Sequence, residues 1–477
     1  MSSELQPPEE AWAVAELAAI NLNDKRLDRR GQKLADDLGR QPSASINQAG
    51  EDWAASKAAY RFLANQSVTP AQILAPHTQR TVERMRDHPV VLAVQDTTFL
   101  NYTHHPETQG LGAIGTKKQD QRGFGLHSTL AVTPHGQPLG LLTQAFVERP
   151  LGQPAHTPSQ LRQLPIEEKE SYRWLQAFEQ TIALAPAGVP VVTVCDREAD
   201  IYDLFALAQE RQAALLVRAA DDRCLQDEQI QHLWPKLARQ PLQGELQVQI
   251  TGNDQRQARQ ATVAIRYCTV KLRPPWRPHQ KKLPVVTLQA ILVREEQPPA
   301  NLAELGDHEP LEWLLLTNTP VSHFDAAVQV VAWYCCRWQI EVFHKVLKSG
   351  CRVEDCLLQS AARLQNYIAL MSVVAWRLHW LTYINRTAPD LPCTHILTTV
   401  EWQALYLRMH HTTQFPPTPP TVRQAVRWIA QLGGFLGRKS DGEPGVTVIW
   451  RGWQRLQDLT ATWEVVVTER AKLVGNR

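Results

Sequence analysis

The sequence predicts an α/β fold in which a sheet-forming middle region lies between helical regions at the two ends of the chain. Short apolar runs typical of buried strands occur between residues 89 and 318, and amphipathic helical patterns separate several of them. Residues 1–68 and 378–477 carry helical periodicity instead. Strands that alternate with helices are typical of α/β domains.

The elements follow one another in a readable order. Two helices open the chain, "DKRLDRRGQKLADDLGR" and "EDWAASKAAYRFLAN", with a polar break between them. The run "PVVLAVQDTTFL" predicts a buried strand that ends at Asp96, and two more strands flank a turn at 134–138. A helix near 166–186 precedes "VPVVTVC", a strand that ends at Asp196, and a further helix and the strand "AALLVR" follow.

Three strands, a helix, a strand, a helix, a strand and a final helix is the order of a ribonuclease H-like domain. Residues of about 221–318 add strand-like alternation before the last helix. We therefore predict a helical domain at 1–68, an α/β domain at 69–377 that carries this β insertion, and a helical domain at 378–477.

Composition limits the class of protein. Hydrophobic residues make up 43% of the chain and charged residues 21%, and no apolar run is long enough to cross a membrane. The N-terminus has acids where a signal peptide needs basic residues, which predicts no export. Eight scattered cysteines without a CxxC pair indicate reduced thiols in a cytosol.

Several common enzyme classes lack their motifs here. The sequence has no GxxxxGK[ST] phosphate loop, no paired-glycine dinucleotide fingerprint after a strand, and no GxSxG nucleophile elbow. The adjacent histidine pairs have no matching third ligand and are interpreted as surface residues. Catalysis, if present, must use other groups.

One short segment, "YCCRWQIEVFHKVLKSG", concentrates charge on one side of a predicted helix. At 100° per residue, five polar side chains fall within an arc of roughly 80°. They are Tyr334, Arg337, Glu341, Lys345 and Lys348. Solvated helix faces usually mix signs, whereas this one surrounds a single acid with cations. A polyanion held beside a metal-binding acid would need this arrangement, and a solvated amphipathic face is the alternative.

Three acids are candidate metal ligands. Asp96 and Asp196 both follow buried strands, although Asp96 could instead order a turn and Asp196 could cap the next helix. Glu341 lies on the late helix. Strand-end acids and a late-helix acid would meet at the edge of an α/β sheet where sites usually lie. Together they supply the hard oxygen ligands that a pair of Mg²⁺ ions needs, and Mn²⁺ is expected to substitute.

Two basic segments predict contacts with phosphate. No acid occurs between Asp254 and Glu295, a stretch with nine cations, so a phosphate-binding surface is expected there, and a flexible basic loop is the alternative. In the first helical domain, cations crowd one helix although the domain as a whole is acidic. Sequence-specific contacts by Arg26 and Arg30 are therefore more plausible than bulk attraction.

The motifs "QDTTFLNY" and "CDREADIYD", together with Tyr-x2-Arg-x3-Glu-x6-Lys at 334–348, resemble the DDE transposases of bacterial insertion sequences. The matching branch is the cut-and-paste one with a Tyr-Arg-Glu-Lys signature. The similarity runs the whole length, including "KAAYRFL" near the N-terminus and "LGGFLGRKSDG" near the C-terminus. In one departure, Tyr202 stands where a relative carries histidine.

The resemblance implies roles for individual residues. It makes Asp96, Asp196 and Glu341 the catalytic metal ligands. It also implies DNA contacts near the cleaved end, through Tyr334, Arg337, Lys348, a base-stacking Trp313, and Arg218. An unstacked base gains roughly 1–3 kcal/mol on an aromatic face, which is consistent with the role of the tryptophan.

The resemblance further implies a ribonuclease H-like core, an N-terminal domain that recognises transposon ends, and a C-terminal domain that dimerises. The expected function is cut-and-paste transposition by two-metal phosphoryl transfer: end nicking, hairpin formation and opening, and strand transfer to target DNA. The expected complex is a homodimer on double-stranded DNA in a bacterial cytoplasm, associated with the nucleoid. A host-adopted nuclease that no longer integrates, or a non-catalytic DNA-binding regulator, is the alternative.

Overall fold

The computed structural model describes residues 12–50, 52–115, 121–151, 157–227, 229–250, 257–277, 282–306, 309–439 and 441–475. The strands of these residues form one ten-stranded sheet with the order β2-β3-β1-β5-β6-β10-β9-β8-β7, and β4 pairs with β3. The strands are β1 (Val91–Asn101), β2 (Gly112–Ile114), β3 (Gln121–Val132), β4 (Pro138–Val147), β5 (Val191–Cys195), β6 (Ala214–Arg218), β7 (Gly244–Ile250), β8 (Arg259–Leu272), β9 (Val286–Arg294) and β10 (Glu312–Thr317).

The half of the sheet that contains β1, β3, β4, β5 and β6 has the ribonuclease H-like arrangement predicted from the element order. β3 is antiparallel to β1 and β4, whereas β1, β5 and β6 run parallel to one another. β5 and the first four residues of β1 are central and read as almost continuous apolar runs because both of their faces are covered. The predicted α/β class is confirmed.

The predicted β insertion extends the same sheet. β10 runs antiparallel to β6, with Leu315 opposite Arg218, and β9, β8 and β7 follow as antiparallel neighbours. The insertion therefore does not form a separate body. It adds a wall beside the carboxyl ends of β5 and β6.

The helices of the described residues surround this sheet. They are α1 (Trp12–Glu16), α2 (Lys25–Arg40), α3 (Ile46–Ala49), α4 (Trp53–Leu63), α5 (Pro70–Met85), α6 (Pro158–Gln163), α7 (Tyr172–Leu184), α8 (Tyr202–Arg211), α9 (Leu233–Ala238), α10 (Phe324–Cys335), α11 (Trp338–Lys345), α12 (Ala361–Thr387), α13 (Thr399–His410), α14 (Val422–Leu432) and α15 (Val446–Gly475). Side-chain caps begin many of them, such as Asp24 before α2 and Asp52 before α4.

The N-terminal helices pack on the long C-terminal ones. The buried amide of Asn366 on α12 donates to the carbonyls of Leu63 and Val68 at 3.1 and 3.0 Å, and the indole of Trp453 on α15 donates to the Gly39 carbonyl at 2.9 Å. α12 itself spans 27 residues and is buried on nearly all sides. The proposed domain border at 377/378 falls inside this continuous helix.

Two further predictions concern compartment. No helix among the described residues is long and apolar enough to cross a membrane. All eight cysteines lie in the described part of the chain, and each is a free thiol.

Candidate active site

Two neighbouring strands bring Asp96 and Asp196 together. β1 and β5 pair in parallel up to Val94 opposite Val194, and each acid lies two residues further along its strand. Asp96 does not end its strand as predicted, because the antiparallel ladder with β3 continues to Asn101. What stops near Asp96 is only the pairing with β5, which leaves a gap between the strands at the level of the acids.

The pKa of Asp96 reflects the proximity of the two acids. Burial raises the pKa of Asp96 to about 7, and the negative charge of Asp196 adds to this effect. Arg337 acts in the opposite direction. A backbone amide donates to each carboxylate, from Thr97 to Asp96 at 2.8 Å and from Glu198 to Asp196 at 2.9 Å. Asp196 also caps the short 3-10 turn that follows, so its predicted capping alternative is real but does not remove it from the site.

Glu341 lies on α11 and is near enough to act on the charge of Asp96. Its carboxylate forms an ion pair with Arg337, one turn earlier. Within the described residues, no three His, Cys, Asp or Glu side chains are grouped closely enough to hold a metal ion. The pair Asp96 and Asp196 nevertheless fits a hard divalent cation, because two neighbouring carboxylates repel each other and supply hard oxygen ligands, and Glu341 can complete the set if it leaves Arg337.

The predicted single helix over 334–350 is wrong. Tyr334 belongs to α10, a turn at Cys336 and Arg337 separates α10 from α11, and residues 346–350 form a π-helical turn. Backbone angles stay in the right-handed helical region throughout, so the apolar periodicity continues across both breaks. The breaks redirect Lys348, whose ammonium donates to the Phe99 carbonyl at 2.9 Å and lies 3.6 Å from a Glu354 oxygen.

The other cations of the segment differ in environment. Lys345 is exposed at the C-terminal end of α11. Arg337 is mostly buried, with 17% of its side chain exposed. Burial acts to lower the pKa of Arg337, but the neighbouring Tyr334 and Glu341 outweigh it and raise the pKa, so the guanidinium stays charged.

An open pocket of about 590 Å³ is lined in part by Arg337, the ion-pair partner of Glu341, but the three acids are not among its lining residues. Its lining includes Arg197, Arg218, Trp234, Arg259, Trp313, Tyr334, Arg337 and Trp338. The rings of Trp313 and Tyr334 meet edge to face with centroids 5.2 Å apart. Arg218 donates to the Glu312 carbonyl at 3.0 Å, and its pKa is lowered by burial. The structure thus places four residues that the resemblance singles out, Arg218, Trp313, Tyr334 and Arg337, around one cavity.

The resemblance did not single out His344, which lies directly beside Asp96. Its Nδ1 is 3.8 Å from an Asp96 oxygen, and its Nε2 is buried without a hydrogen-bond partner among the described residues. Burial lowers the pKa of His344 to about 3, assisted by Lys348, so this histidine is neutral. Its only sequence signal is its position three residues after Glu341, one helical turn on, which places it near the same acids.

The predicted N-terminal DNA contacts lie elsewhere on the molecule. Arg26 and Arg30 are on α2, outside the pocket lining. Arg26 is 91% exposed and pairs at 3.4 Å with Asp24, while Arg30 is half-buried. The structure therefore does not bring these two arginines together with the acids.

In the structure, ion pairs neutralise part of the positive charge of the acid-free stretch between Asp254 and Glu295. Four of its arginines form ion pairs with acids outside the stretch: Arg259 with Glu295, Arg266 with Glu296, Arg277 with Asp203, and Arg294 with Glu312. Lys271, Arg273 and Lys282 remain exposed near the highly exposed Trp276. The other two cations of the stretch, Arg256 and Lys281, lie outside the described residues.

Tyr202 takes no part in the pocket. Its side chain is buried, and its hydroxyl oxygen lies 3.1 and 2.8 Å from the carbonyl oxygens of Leu272 and Pro284, which share its one hydrogen. It therefore fastens α8 to the β insertion.

A sheet edge with converging acids, a helical N-terminal region and a helical C-terminal region together define a DNA-processing class of enzyme with a ribonuclease H-like core. Comparison with protein families agrees, because three models match the chain in order. These are "Transposase DNA-binding" at residues 9–68, "Transposase DDE domain" at 174–377 and "Transposase Tn5 dimerisation domain" at 373–466.

The chain belongs to the DDE transposases, and it is a cut-and-paste DNA transposase. The family predicted from the motifs is confirmed. Its matched domains indicate DNA cleavage, DNA binding and homodimer formation. The DDE match contains Asp196 and Glu341 but begins after Asp96, which is linked to Asp196 by the geometry of β1 and β5.

Proposed function

We propose that Asp96, Asp196 and Glu341 are the catalytic, metal-binding residues of this transposase and that Mg²⁺ is the physiological ion, with Mn²⁺ able to substitute. The observation that carries the proposal is the convergence of Asp96 and Asp196, two residues beyond matched positions of adjacent parallel strands. A pair of divalent cations about 3.5–4 Å apart stabilises both the attacking and the leaving oxygen of an in-line phosphoryl displacement.

The side chains prepare this reaction in different ways. Asp96 and Asp196 are oriented by the amides of Thr97 and Glu198, which leaves oxygens of both free. Glu341 would hold a metal ion once its ion pair with Arg337 opens, and the freed guanidinium would bind a phosphate of the bound strand. Arg337 suits this exchange because a planar guanidinium binds carboxylate and phosphate through the same pair of donors.

The pocket beside the acids accepts the DNA end. Trp313 is half-buried and presents a face on which an unpaired base can stack, while Arg218, Tyr334 and Arg337 supply charge and hydrogen bonds around it. Lys345 is exposed at the end of α11, and Lys348 lies next to the Phe99 carbonyl; in this proposal both contact phosphates of the same strand. A base held in this pocket would allow the tight strand bend that a hairpin requires.

The proposed reaction course is nicking of the transposon end, hairpin formation and opening, and strand transfer of the freed 3′-OH to target DNA. The proposed domain division assigns end recognition to residues 1–68, with Arg26 and Arg30 as base or phosphate contacts, catalysis to 69–377 and dimerisation to 378–477. The synaptic complex is a homodimer on two transposon ends, in the nucleoid of a bacterial cytoplasm.

Single substitutions test the triad. Asp96→Ala, Asp196→Ala and Glu341→Ala are each expected to abolish Mg²⁺-dependent cleavage of DNA that carries the flanking genomic repeats, while binding of that DNA persists. Asp390→Ala, which removes an exposed acid in the turn after α12, is the matched control and should cleave normally. A triad variant that cleaves at the wild-type rate would remove that residue from the site. Cleavage without strand-transfer products in the wild type would favour a nuclease that no longer integrates.

A further inference from the structure

Arg173, in the first turn of α7, joins the two chain segments that carry Asp96 and Asp196. Its Nε donates to the Thr97 hydroxyl at 3.0 Å, and its Nη2 donates to a Glu198 carboxylate oxygen at 2.9 Å. Its Nη1 donates to the backbone carbonyl of Glu170 at 2.9 Å. Only 10% of the side chain is exposed, so the guanidinium is held in one place.

The two acceptors are the same residues that orient the acids. Thr97 donates its backbone amide to Asp96, and Glu198 donates its backbone amide to Asp196, at 2.8 and 2.9 Å. Each acid is thus followed closely by a residue whose amide holds the acid and whose side chain is held by Arg173. Arg173 itself is hydrogen-bonded to neither acid among the described contacts.

We propose that Arg173 is a positioning residue that fixes the separation of Asp96 and Asp196 and so sets the affinity of the site for its metal ions. The inference rests on the proposed roles of these two acids. The parallel pairing of β1 with β5 ends at Val94 and Val194, so the backbone ladder does not fix the distance between the acids beyond that point. Two crowded carboxylates repel each other, and the bridge through Arg173 opposes their separation.

The hydrogen-bond directions support a single arrangement of this bridge. Thr97 Oγ1 accepts from Arg173 and lies 2.8 Å from Nδ1 of the buried His127, so its hydroxyl hydrogen is available to that nitrogen. Burial lowers the pKa of His127 to about 3, with Arg173 contributing, so this ring is neutral and Nδ1 can accept. The hydroxyl is therefore fixed from two sides.

The geometry also explains why an arginine occupies this position. The guanidinium presents donors in a rigid plane and reaches three partners from three chain segments at once, whereas a lysine ammonium is a compact point charge that can replace only part of this set. Glu198 is 58% exposed, so its ion pair with Arg173 is what restrains its side chain.

The matched comparison is Arg149. Its guanidinium binds both oxygens of Glu170 at 2.8 Å, and Glu170 also pairs with Arg173. Arg149 has no recorded hydrogen bond to Thr97 or Glu198. Arg149→Gln therefore removes a neighbouring arginine that binds the same carboxylate, Glu170, without cutting the connection through Thr97 and Glu198.

The test measures metal binding directly, with the full chain and no DNA. Mn²⁺ affinity is determined by titration calorimetry for the wild type, Arg173→Gln, Arg173→Lys and Arg149→Gln. We expect Arg173→Gln to weaken Mn²⁺ binding by about tenfold, as loss of groups that orient metal ligands typically does, with Arg173→Lys in between and Arg149→Gln unchanged. The Mg²⁺ concentration for half-maximal cleavage should rise in parallel, while affinity for end DNA stays constant.

A double-substitution cycle adds a second criterion. If Arg173 acts through Glu198, then Glu198→Gln should weaken Mn²⁺ binding, and adding it to Arg173→Gln should change little further.

A merely structural role predicts a lower melting temperature with wild-type Mn²⁺ affinity, and that result would overturn the inference. Equal effects of Arg173→Gln and Arg149→Gln on Mn²⁺ affinity would also overturn it. Loss of Mn²⁺ binding in Asp96→Ala alongside normal binding in Arg173→Gln would refute only the positioning role. Normal binding in Asp96→Ala and Asp196→Ala would refute the proposed site itself.

Discussion

Replacing Asp96 by asparagine is expected to stabilise the metal-free protein above neutral pH, although it should destroy cleavage. The pKa of Asp96 rises from 3.8 to about 7 because the carboxyl is buried beside Asp196. Between these two pH values the folded chain binds a proton more tightly than the unfolded chain does. The free energy of unfolding therefore falls as pH rises through this window, and the full loss is reached above about pH 7.

The size of the effect follows from the shift. About three pKa units at about 1.36 kcal/mol each give at most about 4 kcal/mol at alkaline pH. Only 17% of the Asp96 side chain is exposed, so solvent screens little of this penalty. Asparagine keeps the size of the side chain and can still accept the amide hydrogen bond from Thr97, but it carries no charge.

Melting temperatures of wild type and Asp96→Asn, measured in a chelator at about pH 5.5 and about pH 8, test this reasoning. The advantage of the variant should be about 2 kcal/mol larger at the higher pH. For a chain of 477 residues that unfolds as one unit, this corresponds to about 2 °C. Asp390→Asn, an exposed acid, is the control and should show no pH-dependent advantage. An Asp96→Asn variant that is no more stable than wild type at about pH 8 would show that Asp96 carries no such electrostatic penalty.

Other substitutions test the proposed DNA contacts one residue at a time. Arg337→Ala should reduce the salt slope of DNA binding by about 0.9 and also lower the melting temperature, since its ion pair with Glu341 is largely buried. Lys348→Ala should give a similar slope change; an unchanged slope in salt-dependent binding assays would make either cation structural. Trp313→Ala should slow hairpin formation in a gel assay while nicking continues, and equal losses of both would argue against base stacking. Arg26→Ala and Arg30→Ala should weaken discrimination between end DNA and random DNA in competition assays, with normal cleavage per bound complex.

The sheet and the position of two acids could be predicted because both depend on local patterns. Buried parallel strands read as continuous apolar runs, and an acid directly after such a run must lie near the sheet edge. Asp96 and Asp196 follow this rule even though β1 continues past Asp96. The continuation was not predictable from the run itself, since residues 96–99 are only half-buried and the polar residues Asp96, Thr97 and Thr98 interrupt the apolar signal.

The two helix breaks on either side of Glu341 could not be seen in the sequence, because the apolar spacing continues across them without interruption. Cys336 and Arg337 form bonds of the i to i−3 type to Trp333 and Tyr334, so the direction of the chain changes while the apolar spacing of about 3.6 residues persists. Helical-wheel reasoning then assigns Tyr334 to the exposed stripe, whereas its side chain is only 5% exposed.

Contacts between segments that are distant in sequence explain why the basic stretch differs from its prediction. Glu312 lies opposite its ion-pair partner Arg294 in the ladder of β9 and β10, and Glu295 pairs with Arg259. Both acids lie outside the acid-free stretch. A count of charges along the chain cannot include such partners. The basic stretch therefore offers less free positive charge to DNA than its composition indicates.

Arg173 shows most clearly that sequence motifs do not contain all the residues that determine the geometry of a site. It lies 76 residues from Thr97 and 25 from Glu198, and the helix that carries it was predicted only from apolar spacing. The motifs around Asp96 and Asp196 identify which oxygens can bind metal, but each motif fixes only its own strand. In the proposed site, metal binding would depend on the distance between the strands, and the inferred role of Arg173 assigns that distance to a third segment that contains no ligand. Residues that carry the ligands can therefore be read from strand ends, whereas residues that set their spacing become visible only when the hydrogen bonds between segments are known.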